Sequence, residues 1–243
     1  MDSLRNRKSI RKYSNKEVSE ELLNSLLTDA FRASNTGNMQ TYSVIVTRSE
    51  QQKEKLLPLH FNQPSIKTAP VVLTFCVDFR RFSRWCVESG AEPGYNNYLS
   101  FYSATIDSML AAQTFAVAAE DAGLGLCFFG TTNYNAEGII DALELPELVF
   151  PVTTVTVGWP AENPSQSDRL DPLGLIHQET YKDVDVKALY ATKEALPEMQ
   201  AFVKENGKPS LAHVFTDVRY TKANNEFFSD ALLKAIKRQG FIF

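Results

Sequence analysis

Apolar and polar positions along this chain follow two periods. Leu22, Leu23, Leu26, Leu27, Ala30 and Phe31 recur at helical spacing, behind a capping Ser19 and the acidic pair Glu20-Glu21 that suits a helix N-terminus. A polar loop over 33–40 follows, and the β-branched run Val44-Ile45-Val46 then marks a strand near 42–47. Residues 51–60 predict a second helix, stopped or kinked near Pro58, with a turn over 60–64. Behind Pro70, Val71 to Val77 is continuously apolar, the pattern of a strand buried on both faces. A basic cluster of Arg80, Arg81 and Arg84 comes next, and the Gly-, Pro- and Asn-bearing stretch 88–98 predicts a loop.

The strongest helix spans 100–122. Ala104, Ile106, Met109, Leu110, Ala111, Ala112 and Phe115 to Ala119 leave it little polar surface, so it belongs in a large core or in a subunit interface. Gly123 is its C-terminal cap. Strands near 125–129 and 152–158, a short helix over 139–143, and tail helices over 185–196 and 230–240 complete the pattern. Between them, 161–172 is polar and turn-rich. Strands alternate with helices, which predicts a mixed α/β or α+β arrangement with one sheet flanked by helices. The preferred partition is one domain over 1–180 and a C-terminal extension over 181–243.

Composition narrows the function classes. The chain has 243 residues and a net charge of -4, which argues against a general nucleic-acid binder. No apolar run reaches the roughly 18 residues of a membrane-spanning helix, and the charged N-terminus lacks a signal-peptide core. Cys76, Cys86 and Cys127 show no C-x-x-C spacing, and Cys76 and Cys127 lie in apolar runs as buried thiols. A reducing, cytoplasmic setting is expected.

The concentrated charge is at the start: Arg5, Arg7, Lys8, Arg11 and Lys12 sit together. Arg7-Lys8-Ser9-Ile10-Arg11 can bind an anion; a solvated basic tail is the alternative. His60, His177 and His213 form no H-E-x-x-H, so no metal site is expected. G-x-S-x-G and the P-loop are absent. The G-x-G at 123–125 follows a helix and opens a strand, the reverse of a dinucleotide fingerprint. Asp78 and Asp107 are carboxylates of the kind that are usually structural. No side chain stands out as nucleophile or base, so no catalytic residue is assigned and a cofactor is expected to carry any redox chemistry.

Several separated pieces together resemble the nitroreductase superfamily of FMN-dependent enzymes. They are RKSIRKYS at 7–14, SNTGNMQ at 34–40, Gln63, AEDAGLGLCFFG at 119–130, VGWPAENPSQSDRLD at 157–171 and HQETY at 177–181. The likeness is greatest to the branch of NADPH-dependent flavin reductases and larger oxygen-insensitive nitroreductases, and it spans most of 4–180. It implies an α+β fold with a mainly antiparallel central sheet flanked by helices. It also implies a homodimer with two interfacial FMN sites and a C-terminal extension wrapping the partner.

The resemblance assigns Arg7, Lys8, Ser9 and Arg169 to the FMN phosphate and Arg11 to the pyrimidine edge of the flavin. Asn35, Thr36 and Gln63 would meet the ring or ribityl chain, and the strand end Phe128-Phe129-Gly130 would lie against the ring. Lys8 replaces the usual Arg, Thr131 replaces a second Gly, and Ser167 replaces a second phosphate-binding Lys. Arg219 and Lys222 are candidates for NADPH or substrate contact. The activity implied is a ping-pong transfer of two electrons from NADPH or NADH to nitroaromatics, quinones or free flavin. An FMN-binding redox sensor or carrier, or a plain anion-binding module, are the alternatives.

Overall fold

The runs marked as buried strands form the centre of one sheet. Strands β1 (Tyr42–Thr47), β2 (Val71–Asp78), β3 (Gly125–Phe129) and β4 (Val149–Gly158) pair antiparallel in the order β1-β2-β4-β3. β2 and β4 occupy the middle and are buried along their whole lengths, as a continuous apolar run requires. The computed structural model describes residues 2–242. Seven helices with ranges α1 (Asp2–Arg5), α2 (Glu20–Ala30), α3 (Glu50–Leu56), α4 (Pro64–Thr68), α5 (Arg80–Glu88), α6 (Tyr98–Asp121) and α7 (Ala136–Ala142) surround the sheet. Then come α8 (Val186–Glu194), α9 (Pro197–Glu205), α10 (Leu211–Val214) and α11 (Lys222–Arg238).

The packing divides into two units. The first runs to Ser165 and resumes at Asp230; the second is Gln166–Ser229. In the first, side chains of β2 alternate between layers: Val71, Leu73 and Phe75 meet Leu23, Leu27 and Phe115 of α2 and α6, whereas Val72 packs with Leu56, Ile66 and Ile139. The chain's last stretch returns to this core. Phe241 is fully buried against Phe101, and Gln239 Nε2 donates to the carbonyls of Pro146 and Val149. The second unit holds α8 to α10, with Lys193 paired to Asp168 at 2.8 Å and Lys208 to Asp217 at 3.0 Å. Among the described residues no helix is long and apolar enough to cross a membrane.

The α+β class and all four strands stand as expected, but boundaries moved. β4 begins at Val149 rather than 152, and it accommodates Pro151 at a register break opposite Phe75 and Cys76, where a missing N–H costs least. The basic cluster after Asp78 is a helix, α5: its arginines obscured Phe79, Phe82 and Cys86, which recur at helical spacing and face the core. The predicted 88–98 loop ends earlier, because Asn97 caps α6 by accepting the Ser100 N–H at 3.0 Å. α4 starts at Pro64 within what the sequence suggested was a turn, and Pro197 opens α9, a helix for which the tail pattern gave no expectation. α6 is not buried all round. Ala104, Asp107, Ala111, Phe115 and Ala119 face inward, while Tyr98, Tyr102, Ile106 and Met109 stand exposed on the other side.

Candidate functional site

Two motifs that are 151 residues apart in sequence meet along β3. The segment after α1 lies extended beside that strand: the Ile10 N–H donates to Leu126 O, and the Ser14 N–H donates to Trp159 O, both at 2.9 Å. Gly125 is required here, since a Cβ would stand 2.7 Å from the Ile10 side chain. The Tyr13 hydroxyl, whose ionisation burial pushes up, donates to Ile10 O at 2.6 Å. The strip is thereby fixed from Ile10 to Ser14.

Polar partners reach this strip from two other segments. Glu162 Oε1 accepts the backbone N–H groups of Arg11 at 2.6 Å and Lys12 at 3.0 Å, and those bonds hold its carboxyl below the ordinary 4.5. Lys8 Nζ donates to Asn163 Oδ1. Arg11 is exposed, and burial raises the pKa of the Cys127 thiol against the opposing pull of Arg11 and Arg7. Arg7 is partly buried: its Nε is 3.7 Å from Glu120 Oε2, and its guanidinium lies 5.5 Å from the centre of the Phe128 ring. Burial raises the Glu120 carboxyl although Arg7 opposes the shift. Ser9 is half-exposed between these cations.

The C-terminal end of β3 carries the other predicted contacts. Phe128 is half-buried toward Arg7, and Phe129 is buried edge-on against His60, with ring centres 5.4 Å apart. Gly130 is exposed, and an added Cβ there would meet nothing within 4 Å. Gln63 is reached through a tight loop in which Phe61 and Asn62 both adopt left-handed backbone, with φ of 52° and 56°. Bonds from the Phe61 N–H to Pro58 O and from the Asn62 N–H to Leu57 O close that loop. His60 Nδ1, at 2.8 Å from Thr131 Oγ1, joins it to the residue after Gly130.

Asn35 and Thr36 stand in the loop before β1. Thr36 offers both its N–H, at 3.0 Å, and its hydroxyl, at 3.1 Å, to the Asp107 carboxylate, which also accepts from Thr41 Oγ1 at 3.2 Å. Asp107 is only 2% exposed, so it faces inward and anchors this loop. Asn35 Oδ1 accepts the Gln40 N–H at 3.1 Å. Arg169 belongs to the second unit, is exposed, and donates to Asp168 O at 2.7 Å; Ser167 precedes it on the same exposed turn. Arg219 of the same unit lies 5.0 Å over the Phe202 ring, and Lys222 pairs with Glu226.

Chemically, Lys8, Ser9 and Arg11 supply cations and a hydroxyl suited to a phosphate and to an anionic ring edge, and Gly130 leaves open space for a flat ring. These features fit the group that the resemblance implies. Glu162, Glu120, Asp107 and His60 complete the site and had no role assigned from sequence. Glu162 and Glu120 lie inside the recognised motifs, and Asp107 is a lone acid on an apolar helix face, but none of these positions shows its partner in the sequence.

The family model described as "Nitroreductase family" matches residues 4–159. An FMN reductase [NAD(P)H] of Bacillus subtilis is 33% identical over 186 residues, which is 75% of this chain and 74% of that one. An oxygen-insensitive NADPH nitroreductase of Salmonella typhimurium is 29% identical over 237 residues, 96% of this chain and 94% of its own. A crystal structure from Bacteroides fragilis superposes with a TM-score of 0.98 at 58% identity, covering 100% of both chains. The chain belongs to the nitroreductase family.

Proposed function

We propose that this protein is an NAD(P)H-dependent oxidoreductase that holds FMN along the strip 7–11 and the end of β3. The observation that supports this most is the main-chain pairing of the strip 7–11, through Ile10, with β3, whose far end is the unobstructed Gly130. The names of the relatives, FMN reductase and NADPH nitroreductase, point the same way.

FMN, when bound, supplies the two-electron hydride chemistry. The chain's own residues bind and tune. Lys8 and Ser9 hold the phosphate, with a share of the Arg7 charge that Glu120 does not neutralise. Arg11 sets a permanent cation at the pyrimidine edge, where negative charge gathers on reduction. Asn35, Thr36 and Gln63 position the ring and ribityl chain, Phe128 and Phe129 shape the ring's surroundings, and Gly130 gives its backbone N–H. NAD(P)H and then the acceptor occupy the same open face in turn, which is a ping-pong order, and no side chain is needed as a proton-transfer base. Nitroaromatics, quinones and free flavin are the acceptors proposed.

The FMN-binding part extends to about residue 180, and the extension beyond it reaches a second copy. The protein acts as a homodimer, for which the exposed apolar stripe of α6 is the supporting observation. Purified protein is expected to be yellow and to bleach on adding NADPH without air. Colourless protein that ignores added FMN overturns the reading. Yellow protein that no nicotinamide bleaches makes it an FMN-binding sensor instead.

A further inference from the structure

His60 is fully buried, yet the proposed function leaves it without a task. Nδ1 meets Thr131 Oγ1 at 2.8 Å, and Nε2 is buried with no hydrogen-bond partner among the described residues. The ring packs edge-on to Phe129, the last residue of β3. Burial holds the imidazole neutral by pushing its pKa down to about 4, so one proton is shared out between two ring nitrogens.

Which nitrogen carries it decides what Thr131 can do. With the proton on Nε2, an N–H donor would be orphaned in an apolar wall, and the Thr131 hydroxyl would have to donate inward to Nδ1. With the proton on Nδ1, the orphan is a lone pair, His60 donates to Oγ1, and the hydroxyl proton of Thr131 is released outward. A buried unpaired N–H is the rarer and costlier defect, which favours the second arrangement. Thr131 is half-buried directly after the exposed Gly130, and His60 is its hydroxyl's one hydrogen-bond partner among the described residues.

We propose that Thr131 is a ligand-contacting hydrogen-bond donor at the Gly130 face, and that His60 is the positioning residue fixing the direction of that bond. Its ligand is a hydrogen-bond-accepting oxygen: a carbonyl oxygen of the bound flavin, or a nitro or quinone oxygen of the electron acceptor. A hydroxyl committed to donating selects such an oxygen over an N–H or O–H group. The inference rests on the FMN reading above for the identity of the site, though not for the tautomer. The same bond ties the loop carrying Gln63 to the end of β3, so two segments proposed to touch one ring are held at a fixed separation.

The test begins with the wild type: nitrogen-15 NMR of the His60 ring is expected to show the proton on Nδ1. A proton on Nε2 overturns the proposal whether or not any variant folds. The variants Thr131→Val and Thr131→Ser are then compared in FMN affinity and in steady-state kinetics. A cofactor contact predicts a three- to tenfold weaker FMN Kd in the Val variant, the order expected of one hydrogen bond, with Ser restoring it. An acceptor contact predicts unchanged FMN affinity, a similar rise in KM for a quinone with kcat held, and restoration by Ser. His60→Asn, which keeps a donor near the Nδ1 position, should resemble wild type, and His60→Leu, which leaves the Thr131 hydroxyl present but undirected, should lose part of what Thr131→Val loses. If the wild type binds FMN and the Val variant moves neither quantity, the proposal is wrong. If the wild type binds no FMN, it is the functional reading that fails.

Discussion

Glu162 accepts the backbone N–H of Arg11 at 2.6 Å, so the acid of the Gly-Trp-Pro motif holds the main chain of the basic motif. The carboxylate thereby extends the main-chain pairing next to it, where the Ala161 N–H donates to Lys12 O and the Ser14 N–H donates to Trp159 O. The same Glu162 oxygen takes the Lys12 N–H, and its bonds depress the carboxyl's pKa. A depressed folded-state pKa means stability that is complete above the ordinary 4.5 and lost as pH falls through the lower folded value. Glu162→Ala is therefore expected to melt lower than wild type at pH 7, with the gap closing as the pH drops below that range. Melting curves across pH 3 to 7 (roughly the carboxylate range) check this; a gap indifferent to pH would remove the carboxylate from the account.

Asp107 makes a second prediction. Its inward carboxylate gathers the Thr36 N–H, the Thr36 hydroxyl and the Thr41 hydroxyl, so removing it strands several donors in a partly dry environment. Asp107→Ala should cost about 2–4 kcal/mol in urea unfolding, more than one ordinary hydrogen bond and in line with orphaned polar groups. Because Asn35 and Thr36 stand on the tethered loop, FMN affinity should fall as well. Full affinity in a destabilised variant would separate the loop from the cofactor.

Two glycines on either end of β3 should behave in opposite ways. At Gly125 a Cβ would stand 2.7 Å from Ile10, so Gly125→Ala must push the basic strip off the strand and should cost about 1–3 kcal/mol. At Gly130 the same methyl meets no protein atom within 4 Å. Gly130→Ala should leave stability within about 0.5 kcal/mol of wild type, as unstrained surface changes do, yet weaken FMN binding by obstructing the approach to its backbone N–H. Thermal melts and flavin-fluorescence titrations of the pair give four numbers, and equal FMN affinity for Gly130→Ala and wild type would contradict the proposed ring position.

The strands were readable because continuous apolar runs leave little choice but a central, two-sided position. Val71 to Val77 is the plain case. α5 was not readable by the same eye, since Arg80, Arg81 and Arg84 dominate its composition while only Phe79, Phe82 and Cys86 carry the period. In the site, charge marked the basic strip without separating it from a solvated tail, and the family resemblance was needed to give it a role. Glu162, Glu120 and Asp107 act through backbone N–H groups or across more than seventy residues of sequence, and neither signal is carried by local pattern. His60 was visible only as a histidine that formed no metal motif.

Arg11 is the cation proposed for the ring edge, and its charge should register in the reduction potential. Arg11→Ala is expected to lower the potential of bound FMN by about 30 mV, a tenfold change in the two-electron equilibrium, and to slow reduction by NADPH. Arg11→Lys keeps the charge and should recover most of the potential while losing some of the fork's directionality. Spectroelectrochemistry reads both variants. An Ala variant with wild-type potential and rate would take Arg11 away from the flavin.

The exposed side of α6 is the last point at which sequence pattern and structure can be forced apart. Tyr98, Tyr102, Ile106 and Met109 follow one another at helical spacing on the face opposite Ala104, Ala111 and Phe115, and all four are exposed. Ile106 is 44% exposed and sits midway along that stripe. An apolar stripe of this length is expected to be covered, and a second copy of the chain is the partner proposed. Ile106→Glu places a charge at its centre between the apolar Tyr102 and Met109, and should convert the dimer to monomer by at least a hundredfold in dimer Kd, about 2.7 kcal/mol. Because Ile106 touches none of the groups in the strip 7–11, the monomer should fold with wild-type helix content, and any loss of FMN would come from losing the partner's half of the site. Sedimentation analysis with absorbance at the flavin band follows both quantities in one run. A dimer of unchanged strength would move the interface elsewhere, and a monomer that keeps its FMN would confine the cofactor site to one chain.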